Sequence, residues 1–170
     1  MGASALASGS ADAFFTLSDA FHLVDKGVGK IIWSTKQSPR DWKQGGGLWA
    51  SKEFIERYPA VVQTVVSAYV KANHWIAQDS NRERYIREYA SVTQPESVVR
   101  RDQEGDVTAW RDRWSPLFDQ YQTLHYRVAI DYARKSGLIK GDIDLNQWFD
   151  RRFVETALRE QGLQKYWESK

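Results

Sequence analysis

Apolar residues recur along this chain in two rhythms, and the change from one to the other falls at residue 51. Before it, short apolar runs alternate with glycine- and serine-rich breaks. Ala11, Asp12, Ala13, Phe14, Phe15 and Thr16 follow Ser8-Gly9-Ser10; Lys30, Ile31, Ile32, Trp33 and Ser34 follow Gly27 and Gly29; Gly45, Gly46 and Gly47 lead into Leu48, Trp49 and Ala50. Alternating or continuous apolar character between glycine boundaries predicts three short strands, over 11–16, 30–34 and 45–50. Phe21, His22, Leu23 and Val24 fit a short helix between the first two. Beyond Ser51 the period becomes 3.6 residues. Ser51 caps a helix that runs towards Pro59, and Pro59 stands in the first turn of the next, where its missing N–H costs least. That helix covers 60–76, with Val61, Val65, Ala68, Ala72 and Trp75 as its apolar set. A helix over 81–89 carries Tyr85, Ile86 and Tyr89 on one face, and Thr93 is an N-cap candidate for a short helix over 94–101. Ser115-Pro116 opens another, with Leu117, Tyr121, Leu124, Val128, Ile130 and Tyr132 as its apolar set and Gly137 as its stop. After a turn over 141–144, Asp144 or Asn146 caps the last helical stretch. The pattern predicts an α/β chain dominated by helix, with one long loop over 37–47.

Composition narrows the function. With 170 residues, 42% hydrophobic and 14% aromatic, the chain has enough apolar material for the core of one domain or slightly more. Its 24 basic and 22 acidic residues leave a net charge of +2, too balanced to imply nucleic acid or an anionic membrane as partner. Zero cysteine removes disulfides, thiolate metal sites and cysteine nucleophiles together. Met1 to Ala7 has neither the basic start nor the apolar run of a signal peptide, and no run reaches the ~18 apolar residues of a membrane span.

No catalytic or metal motif emerges. His22, His74 and His125 lack ligand spacing, and His74 beside Trp75 reads as packing on an amphipathic helix. Arg100, Arg101, Arg111 and Arg113 interleave with Trp110 and Trp114, a pattern that can stack bases and hold phosphates. Asp102, Glu104, Asp106 and Asp112 neutralise it, so the expectation is an ion-paired, solvated helix face. Gly45-Gly46-Gly47 lacks the Lys-Ser/Thr of a phosphate loop and reads instead as conformational freedom at a crossover.

The ordered series of these segments resembles the solute-binding proteins of ABC importers of the nitrate, taurine and aliphatic sulfonate type (periplasmic binding protein type II), in their C-terminal half only. The stretch Ala5-Leu6-Ala7-Ser8-Gly9-Ser10-Ala11-Asp12-Ala13 is similar to the end of a helix and the start of the last strand of the second lobe. Gly46-Gly47-Leu48-Trp49-Ala50-Ser51 resembles the hinge strand that crosses back to the first lobe, and Lys52-Glu53-Phe54-Ile55-Glu56-Arg57-Tyr58-Pro59 the helix and proline after it. Asp144-Leu145-Asn146-Gln147-Trp148-Phe149-Asp150-Arg151-Arg152-Phe153-Val154 resembles the C-terminal turn and helix.

The resemblance implies three parts: 1–44 as the end of the second lobe, 45–51 as the hinge crossover, and 52–170 as the helical part of the first lobe. A whole protein of this kind is expected near ~300 residues, at about 100–150 per domain, so roughly its first half would be missing here, along with its signal peptide. The implied function is solute binding for an importer of a small, anionic or sulfur- or nitrogen-containing organic compound, outside the cytoplasm, with permease subunits as partners of the full-length protein. It implies no enzymatic activity, cofactor or metal. Relatives that act as a desulfinase or as pyrimidine-precursor synthases rely on cysteine, which this chain lacks; a helical interaction protein without a ligand is the other alternative.

Ligand contacts are expected at Leu17, Ser18 and Asp19, where the family carries a Trp-Asp-Pro-like tripeptide, and at Gly46, Gly47, Leu48 and Trp49 of the hinge. Residues just past a strand's end face the crevice of an α/β sheet, and free N–H groups at the next helix start attract anions. Ser18 serves as donor and cap or as cap alone; Trp49 stacks on the solute or fills the core. Open strand edges and a large aromatic load predict weak solute binding and self-association of the isolated chain.

Overall fold

The longest periodic segment of the sequence is the longest helix of the computed structural model, which describes residues 2–16, 20–39, 47–92, 94–106 and 108–168, the side chains of 91 and 92 excepted. In chain order the α-helices among these residues are α1 (Gly2–Ala7), α2 (Ala20–Asp25), α3 (Lys52–Arg57), α4 (Pro59–Ala77), α5 (Arg82–Val92), α6 (Glu96–Gln103), α7 (Trp110–Arg113), α8 (Gln120–Lys135), α9 (Leu145–Trp148) and α10 (Arg151–Glu160), with 3-10 turns at Thr35–Gln37 and Asp79–Asn81. Several boundaries follow from local chemistry legible in the sequence. The Ser51 hydroxyl accepts from the Phe54 N–H, Pro59 occupies the first turn of α4, and Gly27 and Gly137 adopt positive φ just past α2 and α8.

The three expected strands do not form. Residues 11–16, 30–34 and 47–50 have no regular secondary structure, while 45 and 46 lie outside the described residues. A strand is defined by a neighbour that takes its N–H and C=O groups. Residues 13–15, 30–33 and 47–50 exchange no backbone hydrogen bond with any described residue. Their side chains are correspondingly open: Phe15 is 80% exposed and Ile32 78%. The described residues are therefore helical rather than α/β.

Two compact units divide the chain, one of Met1–Ser38 with Arg82–Val107, the other of Pro39–Asn81 with Thr108–Lys170. In the second unit, α4 packs against α10. The fully buried Ala157 of α10 lets the two backbones approach, and Val70, Ala77, Val154, Leu158, Leu163 and Trp167 close the core around it. The Gln63 amide donates to the Phe153 carbonyl at 3.0 Å and the Gln161 amide to the Ser67 carbonyl at 2.9 Å, tying both ends of α10 to the first half of α4. The last carbonyls of α4 have no intrahelical donors. Asn81 Nδ2 takes that of Trp75, and the indole Nε1 of buried Trp110 takes that of Ile76, both at 2.7 Å. Tyr126 and Ile130 of α8 meet Leu145 and Phe149 in a smaller second cluster.

Periodicity is correct in α4 and α8, but its phase is not. Of the expected set of α4, Val61, Val65, Ala68 and Ala72 face solvent and Trp75 is half-buried, whereas Val70, Asn73 and Ala77 are buried and Val66 packs against the core. Both faces of α4 carry valines, so the pattern alone cannot choose; the partner α10 does. In α8 the expected Ile130 is buried, with Tyr126 beside it, but Tyr121, Leu124, Val128 and Tyr132 of the expected set are exposed. α8 also starts at Gln120 rather than after Ser115, because the Asp119 carboxylate accepts from the Gln122 N–H. Pro95 stands at the N-cap position of α6; Thr93, the expected cap, lies outside the described residues.

In the first unit, α5 packs on α6 and α2 on α6, burying Ile86, Val98 and Val99. Lys36 Nζ donates to the carbonyls of Arg101 and Glu104, and the Gln37 amide to that of Gly105 at 2.7 Å, closing the C-terminal end of α6. Arg100, Arg101 and Arg111 are ion-paired, the first two with partners other than those expected. Arg100 binds Glu83 of α5 with both η nitrogens at 2.9 Å and also Glu96; Arg101 pairs with Asp25 at 2.5 Å; Arg111 pairs with the expected Asp112.

The hydrogen bonds from Arg100 hold the Glu83 carboxyl below the usual carboxylate range. A carboxylate whose pKa is depressed by folding contributes stability above its unfolded pKa, and that contribution fades as pH falls through the folded value. Acid titration of the wild type should therefore loosen α5 from α6 in the low carboxylate range. Glu83→Gln should remove that part of the pH dependence. Hydrogen exchange of α5 amides between neutral and acid pH checks it; identical profiles in the two proteins would contradict it.

Candidate functional site

Gly47, Leu48 and Trp49, three of the seven residues expected to contact a ligand, come together in one cleft of the second unit, about 320 Å³ in volume. Gly46 and the other three expected residues, Leu17, Ser18 and Asp19, lie outside the described residues. The run 47–50 forms one wall and passes directly into capped α3, which adds Phe54 and Ile55. Val62, Val65, Val66 and Tyr69 of α4 form the floor together with Phe153 and Val154 of α10, so Val65, on the open side of α4, has a place in the structure after all.

The far wall is aromatic. Asp144 caps the single turn of α9 through the Asn146 N–H, and that turn presents Trp148 beside the buried Phe149. Trp49 meets Trp148 at 5.2 Å between ring centroids and Tyr126 edge-on at 6.2 Å, while Tyr126 and Trp148 are themselves 5.1 Å apart and T-shaped. Behind them Phe118 stacks on Phe149 at 4.7 Å. The Arg151 guanidinium lies over both of these rings and donates to the Phe118 carbonyl, which fixes the rear of the wall. Trp49 remains 63% exposed, so one face of its indole is open to whatever enters.

Charge is almost absent from this lining. Among the described residues it contains no lysine, arginine or histidine, and its one ionisable carboxylate, Asp150, is held by Arg152 Nε at 2.9 Å to both oxygens. Ser115 and Gln122 supply the neutral polar groups. Such a cleft can hold an apolar or planar group by burial and stacking, but offers nothing to neutralise an anion. A larger groove of about 630 Å³ lies in the first unit, lined by Phe14, Phe15, Ile31, Ile32, Trp33 and Lys30 among others, and reaching Thr16. Its other lysine, Lys36, is engaged by the α6 carbonyls.

No protein-family model and no curated protein matches the chain. A solved structure does. It is the crystal structure of a protein described as the periplasmic sulfonate-binding protein SsuA of a sulfonate ABC transporter from Methylobacillus flagellatus KT. The two chains are 50% identical and superpose with a TM-score of 0.81 over 99% of this chain and 51% of the other. The chain is a relative of half of an ABC-importer solute-binding protein. It spans about half the length of that relative, and its fold is part of a periplasmic-binding-protein-like fold. The resemblance carried by the ordered segments is thereby borne out as far as a match to about half of such a protein. Among the described residues no helix is long and apolar enough to cross a membrane, and no cluster of histidine, aspartate or glutamate could hold a metal ion.

Sequence reasoning found one wall of the cleft and missed the other. Gly47, Leu48 and Trp49 stood out through glycine punctuation. Tyr126, Trp148 and the valine face of α4 did not, because each joins the site only through packing, Tyr126 and Trp148 from about 75 to 100 residues beyond Trp49 in sequence. The one available signal was the excess of apolar residues on α4, more than a single buried face needs.

Proposed function

We propose that this chain is the solute-binding component, or part of one, of an ABC importer for a small organic compound carrying an anionic group, with a sulfonate as the leading class. The observation that carries the reading is the aromatic cleft around Trp49 in a chain half identical to half of a described sulfonate-binding protein. On this reading the chain corresponds to the C-terminal half of such a protein, with 1–44 ending the second lobe, 45–51 crossing the hinge and 52–170 completing the first lobe. The full-length protein works outside the cytoplasm and hands its solute to permease subunits; no chemistry is performed on the solute.

The division of labour follows from the lining. The hydrocarbon part of the solute lies against Trp49, Trp148 and the α4 valines. The anionic group is met by residues outside this cleft; Leu17, Ser18, Asp19 and Gly46 are assigned to the solute with Gly47, Leu48 and Trp49. Burying an alkyl chain of about five methylenes at ~0.8 kcal/mol each gives ~4 kcal/mol, an affinity on the order of millimolar for the cleft alone. Titrating alkanesulfonates of increasing chain length while following tryptophan emission tests this. The expected result is saturable change whose affinity rises about fourfold per methylene, with inorganic sulfate inactive. Equal responses to all chain lengths, or none to any, would remove the cleft from the solute's path.

A further inference from the structure

We propose that the outer face of α8 is an interface for a second copy of this chain, the two helices meeting antiparallel about a two-fold axis at Val128. The inference is independent of the solute reading and uses a face that the cleft does not. Tyr121, Leu124, Val128 and Tyr132 recur at spacings of three and four along the 16 residues of α8. On a helix of 3.6 residues per turn they form one stripe, roughly opposite Tyr126 and Ile130, which carry the inward contacts of α8. The stripe is open: Leu124 is 43% exposed, Val128 60% and Tyr132 68%. Apolar residues at this spacing on an open helix are the seam by which one helix binds another.

Charge and symmetry select the occupant and its direction. Lys135 continues the stripe, and a parallel pair would set it against Lys135 of the other copy. An antiparallel pair centred on Val128 instead sets Val128 on Val128, Leu124 level with Tyr132, and Lys135 level with the Tyr121 ring. It also brings Arg127 of each copy within about two residues, ~3 Å along the axis, of Asp131 of the other, on the same side of the seam. Asp131 is only loosely engaged within its own chain, with Arg134 at 3.9 Å, and Arg127 has no ion-pair partner among the described residues. The face therefore complements itself in shape and charge, and the symmetry doubles each contact. A polypeptide that completed the cleft around Trp49 would approach α8 from the Tyr126 side, and the stripe lies on the other. Four side chains per copy fall short of the roughly 800 Å² that each partner buries in a standard interface, so association belongs in the micromolar-to-millimolar range.

Sedimentation equilibrium of the 170-residue chain across that concentration range is the test. The chain should form a reversible dimer. Val128→Asp, which sets two carboxylates face to face at the axis, should weaken it at least tenfold. Arg127→Asp and Asp131→Arg should each weaken self-association, because each variant then opposes like charges across the seam. Mixed in equal amounts, these two variants should associate at least as tightly as the unaltered chain, since every pair is again of opposite sign. The chain contains no cysteine, so Val128→Cys gives a reading that does not depend on the charge variants folding. Mild oxidation should join two copies through this position, whereas Val61→Cys, at an exposed site on α4, should stay monomeric. A monomer throughout, a dimer that Val128→Asp leaves intact, or a mixture no tighter than its two components would overturn the proposal. Loss of the Val128→Cys crosslink on adding the separately expressed unmatched half of the Methylobacillus protein would assign the face to that polypeptide, and so overturn it as well.

Discussion

Trp167→Ala should lower the unfolding free energy of this protein by about 3–5 kcal/mol, a large part of the ~5–15 kcal/mol that a domain possesses. Trp167 is only 5% exposed and sits in the core that α4 and α10 share. Its indole Nε1 donates to the Arg111 carbonyl at 3.1 Å, and its ring meets those of Tyr166 at 4.7 Å and His74 at 6.2 Å. Truncation therefore opens a cavity and strips a partner from a carbonyl near the end of α7 at the same time. Trp167→Phe separates the two effects: most of the packing survives, and the lost hydrogen bond costs about 1 kcal/mol. Urea unfolding of the three proteins, followed by circular dichroism, provides the comparison. A loss below about 1 kcal/mol for the alanine variant would show that the segment after α10 contributes little to the core. The same enclosure pushes the Tyr166 phenol above its ordinary pKa, since burial disfavours the charged form.

Trp49→Ala should have the opposite profile, with little effect on stability and a large one on solute. Its indole is mostly exposed and rests on Trp148 and Tyr126 from one side, so truncation removes a lid rather than a core member. Removing an aromatic surface that a solute would bury forfeits about 1.5–3 kcal/mol, a weakening of about 10- to 100-fold for alkanesulfonates. Tyr132→Ala is the matched control, an exposed aromatic on α8 that does not line the cleft. Titration of both variants under the conditions used for the unaltered chain gives the result. Equal affinities for the Trp49→Ala variant and the unaltered protein would mean that Trp49 fills space without touching the solute.

The two tryptophans illustrate how unevenly the site was legible. Trp49 stood out because three glycines precede it and a capped helix follows, a local arrangement that marks a crossover in any setting. Trp148 lies in an equally local arrangement, one turn after the Asp144 cap, yet nothing nearby says that the turn faces Trp49 almost a hundred residues away. The strands failed for a related reason. Ile31, Ile32 and Trp33 have the composition of a strand, but composition supplies only the side chains; the ladder needs a second backbone, and none of the described residues provides one.

What the sequence determined by itself was the local order: where helices begin and end, because Ser51, Pro59, Gly27 and Gly137 act on their own neighbours, and which family the ordered series resembles. What only the tertiary structure decided was direction. α4 carries valines at 61, 62, 65, 66 and 70, and no count of spacings distinguishes Val66 and Val70, which join the core shared with α10, from the others. The choice was made by contact with α10, whose Val154, Ala157 and Leu158 enclose Val70, while Val62 and Val65 line the cleft. Burial is a property of two surfaces in contact, and a sequence read one segment at a time describes only one of them.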